Sequence, residues 1–274
     1  MLPLRSQHIV QRRQSVLPLN TEVARLESLP LPVIAYGRDL DEGDVLPWHQ
    51  HRRAQLVYAS SGVMTVTTPQ SSHAVPPQRA VWVPGGVGHQ IEARSKVSMR
   101  TLYIDPQSAS PLPTEVLMLE VSPLLRELIL EAVARCTDYQ PNTPQARIVS
   151  VILDQIAAQP TATLAALPMP DEVRLRRLVE ALVDTPGDNR DLAAWAQNTG
   201  TSKRTLTRLF MRETGMSFTI WRQQLRAHRA IELLTAGQSV TATALELGYD
   251  STSAFIAMFK RCVGATPTQY LAEL

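Results

Sequence analysis

Ser202-Lys-Arg-Thr-Leu-Thr-Arg-Leu-Phe-Met-Arg-Glu-Thr-Gly215 and, 49 residues later, Ser251-Thr-Ser-Ala-Phe-Ile-Ala-Met-Phe-Lys-Arg-Cys-Val-Gly264 follow one template. Each opens on a serine suited to cap a helix and closes on a glycine suited to stop one. Between them, Leu206, Leu209 and Phe210 in the first copy and Phe255, Met258 and Phe259 in the second recur at helical spacing. Each copy follows a short helical segment and a glycine-containing turn, Asn198-Thr-Gly200 and Gly248-Tyr-Asp250. Helix, tight turn, helix, given twice, predicts two helix-turn-helix units in one all-α domain, an arrangement that reads DNA. From Ser217 to Thr235 the pattern predicts a linking helix, capped by Ser217 and stopped by Gly237. At its length it spans somewhat under ~30 Å, close to the ~34 Å between successive major-groove faces.

With Leu206, Leu209 and Phe210 turned to a core, Lys203, Arg204, Thr207 and Arg208 share the opposite face, near the helix N-terminus that enters the groove. Arginine suits that place because its guanidinium can donate two hydrogen bonds to guanine. The second copy offers Thr252, Ser253, Ile256 and Ala257 instead, which supply hydroxyls and apolar contact with thymine methyls. Lys260 and Arg261 fall at its distal end, better placed for phosphate. The first unit is expected to discriminate bases and the second to position the protein. On the linking helix, Trp221 and Leu225 read as core, and Arg222 and Arg226 as either phosphate contacts or braces.

These motifs, with Asp191-Leu-Ala, Glu213-Thr-Gly-Met-Ser217, Leu245-Glu-Leu-Gly-Tyr249 and Gly264-Ala-Thr-Pro267, resemble the signature of the AraC/XylS transcription regulators over about 100 residues. The resemblance implies binding to double-stranded promoter DNA, activation by contact with RNA polymerase, and control by a separate N-terminal domain. Thr201, Thr243 and Ala257 depart from the residue types usual in the pattern.

The rest of the chain is of another kind. Short β-rich runs, Pro32–Tyr36, Gln55–Ser60, Val63–Thr68, Ala80–Val83, Gln90–Ala93 and Val97–Ile104, predict a small sandwich or barrel. Helices are predicted at 124–133 and from Gln145 to Ala158, and the proline-bearing segment 160–170 reads as a linker. His49-x-His51 is at strand spacing, Gln55 follows within reach, and Pro84-Gly-Gly86-Val-Gly-His89 adds a third imidazole after a tight turn. With Gly43 and Gly62 these residues resemble the two cupin motifs, with Gln55 where a glutamate is usual. That resemblance implies a β-barrel whose His49, His51, Gln55 and His89 hold a divalent transition metal, or line a pocket for an organic effector. Trp48, Tyr58 and Trp82 are expected to line or close the barrel, and His8, His73 and His228 to be surface or packing residues.

The fold expected is α+β with two domains. Residues 1–110 form a cupin-like sensor domain, 111–170 helices with a dimerising role and a linker, and 171–274 the AraC-type DNA-binding domain. In 274 residues of net charge +2, no apolar run reaches membrane-spanning length and no signal peptide is evident. Cys136 and Cys262 read as free thiols, and the expected location is the cytoplasm. The leading function is a metal- or ligand-responsive regulator acting as a homodimer. The alternative is a metal-dependent cupin enzyme fused to a DNA-binding domain.

Overall fold

The computed structural model describes residues 15–16, 25–136, 138–159, 166–198 and 200–272. Arg5, His8, Arg12 and Arg13 lie outside the described residues. The N-terminal half consists of β1 (Ser15–Val16), a helical turn over residues 25–28 (α1), β2 (Val33–Leu40), β3 (Asp44–His49), β4 (Ala54–Ser61), β5 (Met64–Thr67), β6 (Ser71–Val75), β7 (Arg79–Val83), β8 (His89–Ala93) and β9 (Val97–Ile104). It continues with α2 (Pro106–Ala109), β10 (Leu117–Glu120), α3 (Pro123–Arg135), α4 (Pro144–Ala158) and β11 (Leu167–Pro168). One sheet runs β1-β3-β8-β5-β6-β11 and the other β10-β7-β4-β9-β2.

Two apolar layers explain why β4 is buried on both faces. Val57 and Ala59 join Met64, Val66, Ile91 and Met99 in one cluster. The alternate residues Leu56 and Tyr58 pack, with Trp82 and Leu102, under Leu125, Ile129 and Ala132 of α3 and Ile152 and Ile156 of α4. Each buried Val, Leu, Ile or Met among them contributes about 1.5–3 kcal/mol by leaving water. Tyr58 and Trp82 therefore pin the helices to the outside of the barrel rather than lining its interior, a correction to the expectation. Trp48 is corrected too: it is 52% exposed. Its neighbour His49 turns inward, and strand alternation sends Trp48 out. Gly62 makes the β4–β5 turn at φ 77°, where an added Cβ would lie 2.1 Å from the Lys96 carbonyl oxygen.

The linker expectation needs revision. Leu167 and Pro168 pair with Ser72 and Ser71 of β6, and the Leu167 side chain enters the core of the first helix-turn-helix unit. The Pro168 carbonyl accepts a hydrogen bond from Trp221 Nε1 at 2.8 Å. This end of the segment is fastened to both halves of the molecule.

The remainder is helical: α5 (Val173–Asp184), α6 (Leu192–Asn198), α7 (Lys203–Thr214), α8 (Phe218–Thr235), α9 (Val240–Glu246), α10 (Thr252–Val263) and α11 (Pro267–Ala272). The template serines cap as their chemistry dictates: Ser202 Oγ accepts from Thr205 N, and Ser251 Oγ from Ala254 N. Gly215 and Gly264 end the helices in the left-handed region. Two separate cores result. Phe218, Trp221 and Leu225 of α8 join α5, α6 and α7 in the first, while Ala227, Ala230, Ile231 and Leu234 join α9, α10 and α11 in the second. Among the described residues no helix is long and apolar enough to cross a membrane.

Candidate functional site

The face expected to meet DNA follows from this packing. Burial of Leu206, Leu209 and Phe210 leaves Lys203, Arg204, Thr207 and Arg208 exposed together on α7. Among the described residues Arg204 and Arg208 have no ion-pair or hydrogen-bond partner, so both guanidinium forks are available to a ligand. Arg212, further along, is already paired with Glu213 at 2.7 Å. On α10, Ser253, Ala257, Lys260 and Arg261 are exposed and Thr252 is partly so. Ile256 differs from expectation, because it packs partly against the second core and only its remaining edge faces out. The asymmetry between the two faces is therefore real at the level of side chains.

Arg222 and Arg226 turn out to be braces. Arg222 Nη1 donates to the Arg190 carbonyl at 2.9 Å. Arg226 is 5% exposed and bonds three oxygens of the 186–189 loop. Thr243 is fully buried, so at that departure from the family pattern it occupies an apolar residue's place in the packing.

In the barrel, His49, His51 and His89 converge, with ligand-capable atoms all within 4.8 Å of one another. His49 ends β3, His89 begins β8 opposite it, and His51 lies in the loop just beyond β3. Each Nδ1 faces a backbone carbonyl: Pro47 at 2.8 Å, Arg53 at 2.6 Å and Val87 at 3.0 Å. Only an N–H satisfies such a contact, so Nδ1 carries the proton and Nε2 is turned to the common centre. Burial, with His49 beside it, pushes the His89 imidazole down to about 3, and burial also lowers that of His49.

Gln55 decides what the centre can hold. Its Oε1 lies 3.0 Å from His51 Nε2 and 2.9 Å from His89 Nε2. Its amide N–H donates to Thr101 Oγ1 at 2.8 Å, and Thr101 donates onward to the Leu56 carbonyl at 2.9 Å. The amide orientation is thereby fixed. A neutral His89 bonded through Nδ1 then points a lone pair at a carbonyl lone pair, and two acceptors face each other. Such convergence suits a cation, and three imidazoles with one amide oxygen fit Zn²⁺, Ni²⁺, Fe²⁺ or Mn²⁺. The donor set is neutral and leaves a dication's charge uncompensated. Thr101 was not foreseeable: it reaches Gln55 only through the β4–β9 pairing, 46 residues away.

A second set of residues missed in sequence joins barrel to helices. Arg94 Nε donates to Thr65 Oγ1 at 2.9 Å, and Thr65 donates to Glu232 Oε1 of α8 at 3.2 Å. Arg94 also pairs with Glu92, and Arg229 with Glu232, each at 2.7 Å. Of the two readings of His73 and His228, surface or packing, packing holds: they are 1% and 5% exposed, and His73 interacts electrostatically with His228 across this junction. A cleft of about 440 Å³ borders the same contact, lined by Thr65, Glu92, Arg94, His228, Arg229 and Glu232 among others.

Paired helix-turn-helix units beside a histidine-bearing barrel define a DNA-binding transcriptional regulator, and the comparisons agree. A helix-turn-helix domain model matches residues 195–273 and a cupin domain model residues 38–105. The chain is 41% identical over 228 residues to the HTH-type transcriptional regulator NimR of Escherichia coli K12, covering 83% of each. It is 36% identical over 103 residues to the regulator RipA of Corynebacterium glutamicum, covering 38% of this chain and 31% of RipA. Against the arabinose operon regulatory protein of Escherichia coli K12 it is 32% identical over 105 residues, 38% of this chain and 36% of that protein. The chain belongs to the AraC/XylS family of transcriptional regulators.

Proposed function

We propose that the chain regulates promoters as a cytoplasmic homodimer, activating through contact with RNA polymerase. In this reading its barrel responds to a divalent transition metal or to a small molecule held with one. The carrying observation is the continuity of β8. That strand begins at the ligand His89, passes Glu92 and leads to Arg94, which with Thr65 grips Glu232 on the helix between the two readers. His49, His51, His89 and Gln55 would hold the metal, which supplies a Lewis-acidic centre able to take further ligands. An occupant that binds one barrel arrangement more tightly than another biases the β8–α8 contact and so the placement of the readers. The enzymatic alternative draws no support from the relatives, which are regulators.

Metal analysis of protein purified without chelators, followed by Zn²⁺ or Ni²⁺ titration with DNA affinity as readout, tests this. The expected response is a change of roughly 5–150-fold in DNA affinity, lost in His89→Ala. Glu232→Gln should still bind metal but lose the response. Absence of any transition metal, with an unchanged effector response in His49→Ala, would remove the metal from the account.

A further inference from the structure

The two helix-turn-helix units also touch each other away from the linking helix. The loop 185–190, which leads into α6 of the first unit, lies against the Gly248–Tyr249 turn between α9 and α10 of the second. Backbones meet there directly. A Cβ added to Gly187 would lie 2.4 Å from the Glu246 carbonyl oxygen, and one added to Gly248 would lie 2.4 Å from that of Gly187. Asn189 Nδ2 spans the seam, donating to the Gly248 carbonyl at 2.8 Å.

Arg226 of α8 closes this contact from beneath. Its Nε donates to the Pro186 carbonyl at 2.8 Å. Its Nη2 donates to the Asp188 carbonyl at 3.1 Å and to Asn189 Oδ1 at 2.9 Å. The guanidinium carbon also lies 5.2 Å from the centre of the Tyr249 ring. One planar cation thus holds the loop of unit one, orients the amide that bonds unit two, and rests on an aromatic ring of unit two. A lysine, with a single point charge, cannot serve that divergent set of acceptors.

We infer that Arg226 is a positioning residue that sets the distance and rotation between α7 and α10, and so selects the spacing between the two DNA half-sites. It acts through Asn189 and Tyr249 and does not itself touch DNA, since it is buried. The inference rests on α7 and α10 being the groove-reading helices. Adding one base pair between half-sites shifts the second by about 3.4 Å along the duplex and rotates it by roughly 35°. A clasped pair of readers tolerates that poorly, whereas a pair joined by α8 alone can bend to follow.

The test uses the full chain and a duplex selected by it from a random pool. From that duplex, variants are made with one or two base pairs inserted or deleted between half-sites, together with a single half-site for α7. Wild-type protein should lose about tenfold or more in affinity per inserted base pair, comparable to a mismatch. Arg226→Gln and Asn189→Ala should bind the single half-site within about twofold of wild type, yet lose threefold or less per inserted base pair. Circular dichroism and thermal melting check that both variants fold, and Asn189→Ala provides the result if Arg226→Gln does not. Equal weakening at every spacing and on the single half-site would reduce Arg226 to a packing residue and overturn the inference. A wild-type spacing profile in both variants would also overturn it. Arg208→Ala separates the two levels: if it leaves selected-duplex binding unchanged, the assignment of α7 as reader fails; if it weakens that binding while the spacing profiles stay wild type, the clasp fails.

Discussion

Replacing Arg208 with alanine isolates the asymmetry between α7 and α10, the two helices proposed to read DNA. Arg208 is exposed and unpaired among the described residues, so its loss removes no contact that holds the fold together. The thermal midpoint should therefore stay where it is. On DNA the balance changes: a bidentate arginine–guanine contact is worth about 1–3 kcal/mol of discrimination, or roughly 5–150-fold in Kd. On α10 the template puts Ala257 opposite Arg208 and Ser253 opposite Arg204; Ser253 offers one neutral hydroxyl, and Ser253→Ala should cost about 0.5–1.5 kcal/mol. Fluorescence anisotropy with a selected duplex and a scrambled one, repeated across salt concentrations, reads both terms. If Arg208 reads a base, Arg208→Ala weakens the selected duplex far more than the scrambled one and leaves the salt slope unchanged. A phosphate contact instead weakens both alike and lowers the slope by about 1. That second pattern, or equal losses in Arg208→Ala and Ser253→Ala, refutes the division of labour.

Gln55, His73 and Gly62 each carry a further prediction. Gln55→Glu places a carboxylate between His51 and His89; metal affinity by calorimetry should rise on the order of tenfold, while the metal-free protein melts lower. Burial at the barrel–helix junction, with His228 beside it, lowers the His73 pKa from 6.5 to about 3. The unfolded chain therefore binds the extra proton throughout that window, and the stability this group confers is full above pH 6.5 and lost as pH falls toward 3. At pH 5 the loss is about 2 kcal/mol, and urea titrations should show His73→Gln, which can keep a bond to Ser71, to be less pH-sensitive; an unchanged slope would contradict the assignment. Gly62→Ala forces a Cβ onto the Lys96 carbonyl at positive φ, and denaturant unfolding should record a loss of about 3 kcal/mol or more.

What could be read from residues alone divides along physical lines. The helical half was legible because caps, stops and apolar spacing act within a dozen residues: α7 begins and ends where Ser202 and Gly215 place it. The cupin histidines were legible because the motif is local, although His51 sits beyond the strand that carries His49. Strands β1, β3, β6, β10 and β11 were missed, and β10 carries the mixed sequence Leu-Met-Leu-Glu after a proline-rich stretch. Tyr58 and Trp82 were sent to the wrong side because a sheet buried on both faces shows no alternation. Thr101, Arg94 and Glu232 carried no signal, since their roles depend on partners dozens to more than a hundred residues distant. Arg226 was read only as one of two options, and burial chose between them.

The two-residue strand β11 has a bearing on how such regulators can be recombined. A new sensor grafted at residue 171 would leave behind Leu167, which fills the first reader's core, and the Pro168 carbonyl that holds the Trp221 indole. A junction placed before residue 166 would carry both along but strip them of β6, whose edge they occupy. Modules that look separable in a linear map thus share a seam, and a functional chimera has to bring a barrel whose outer strand accepts this Leu-Pro pair.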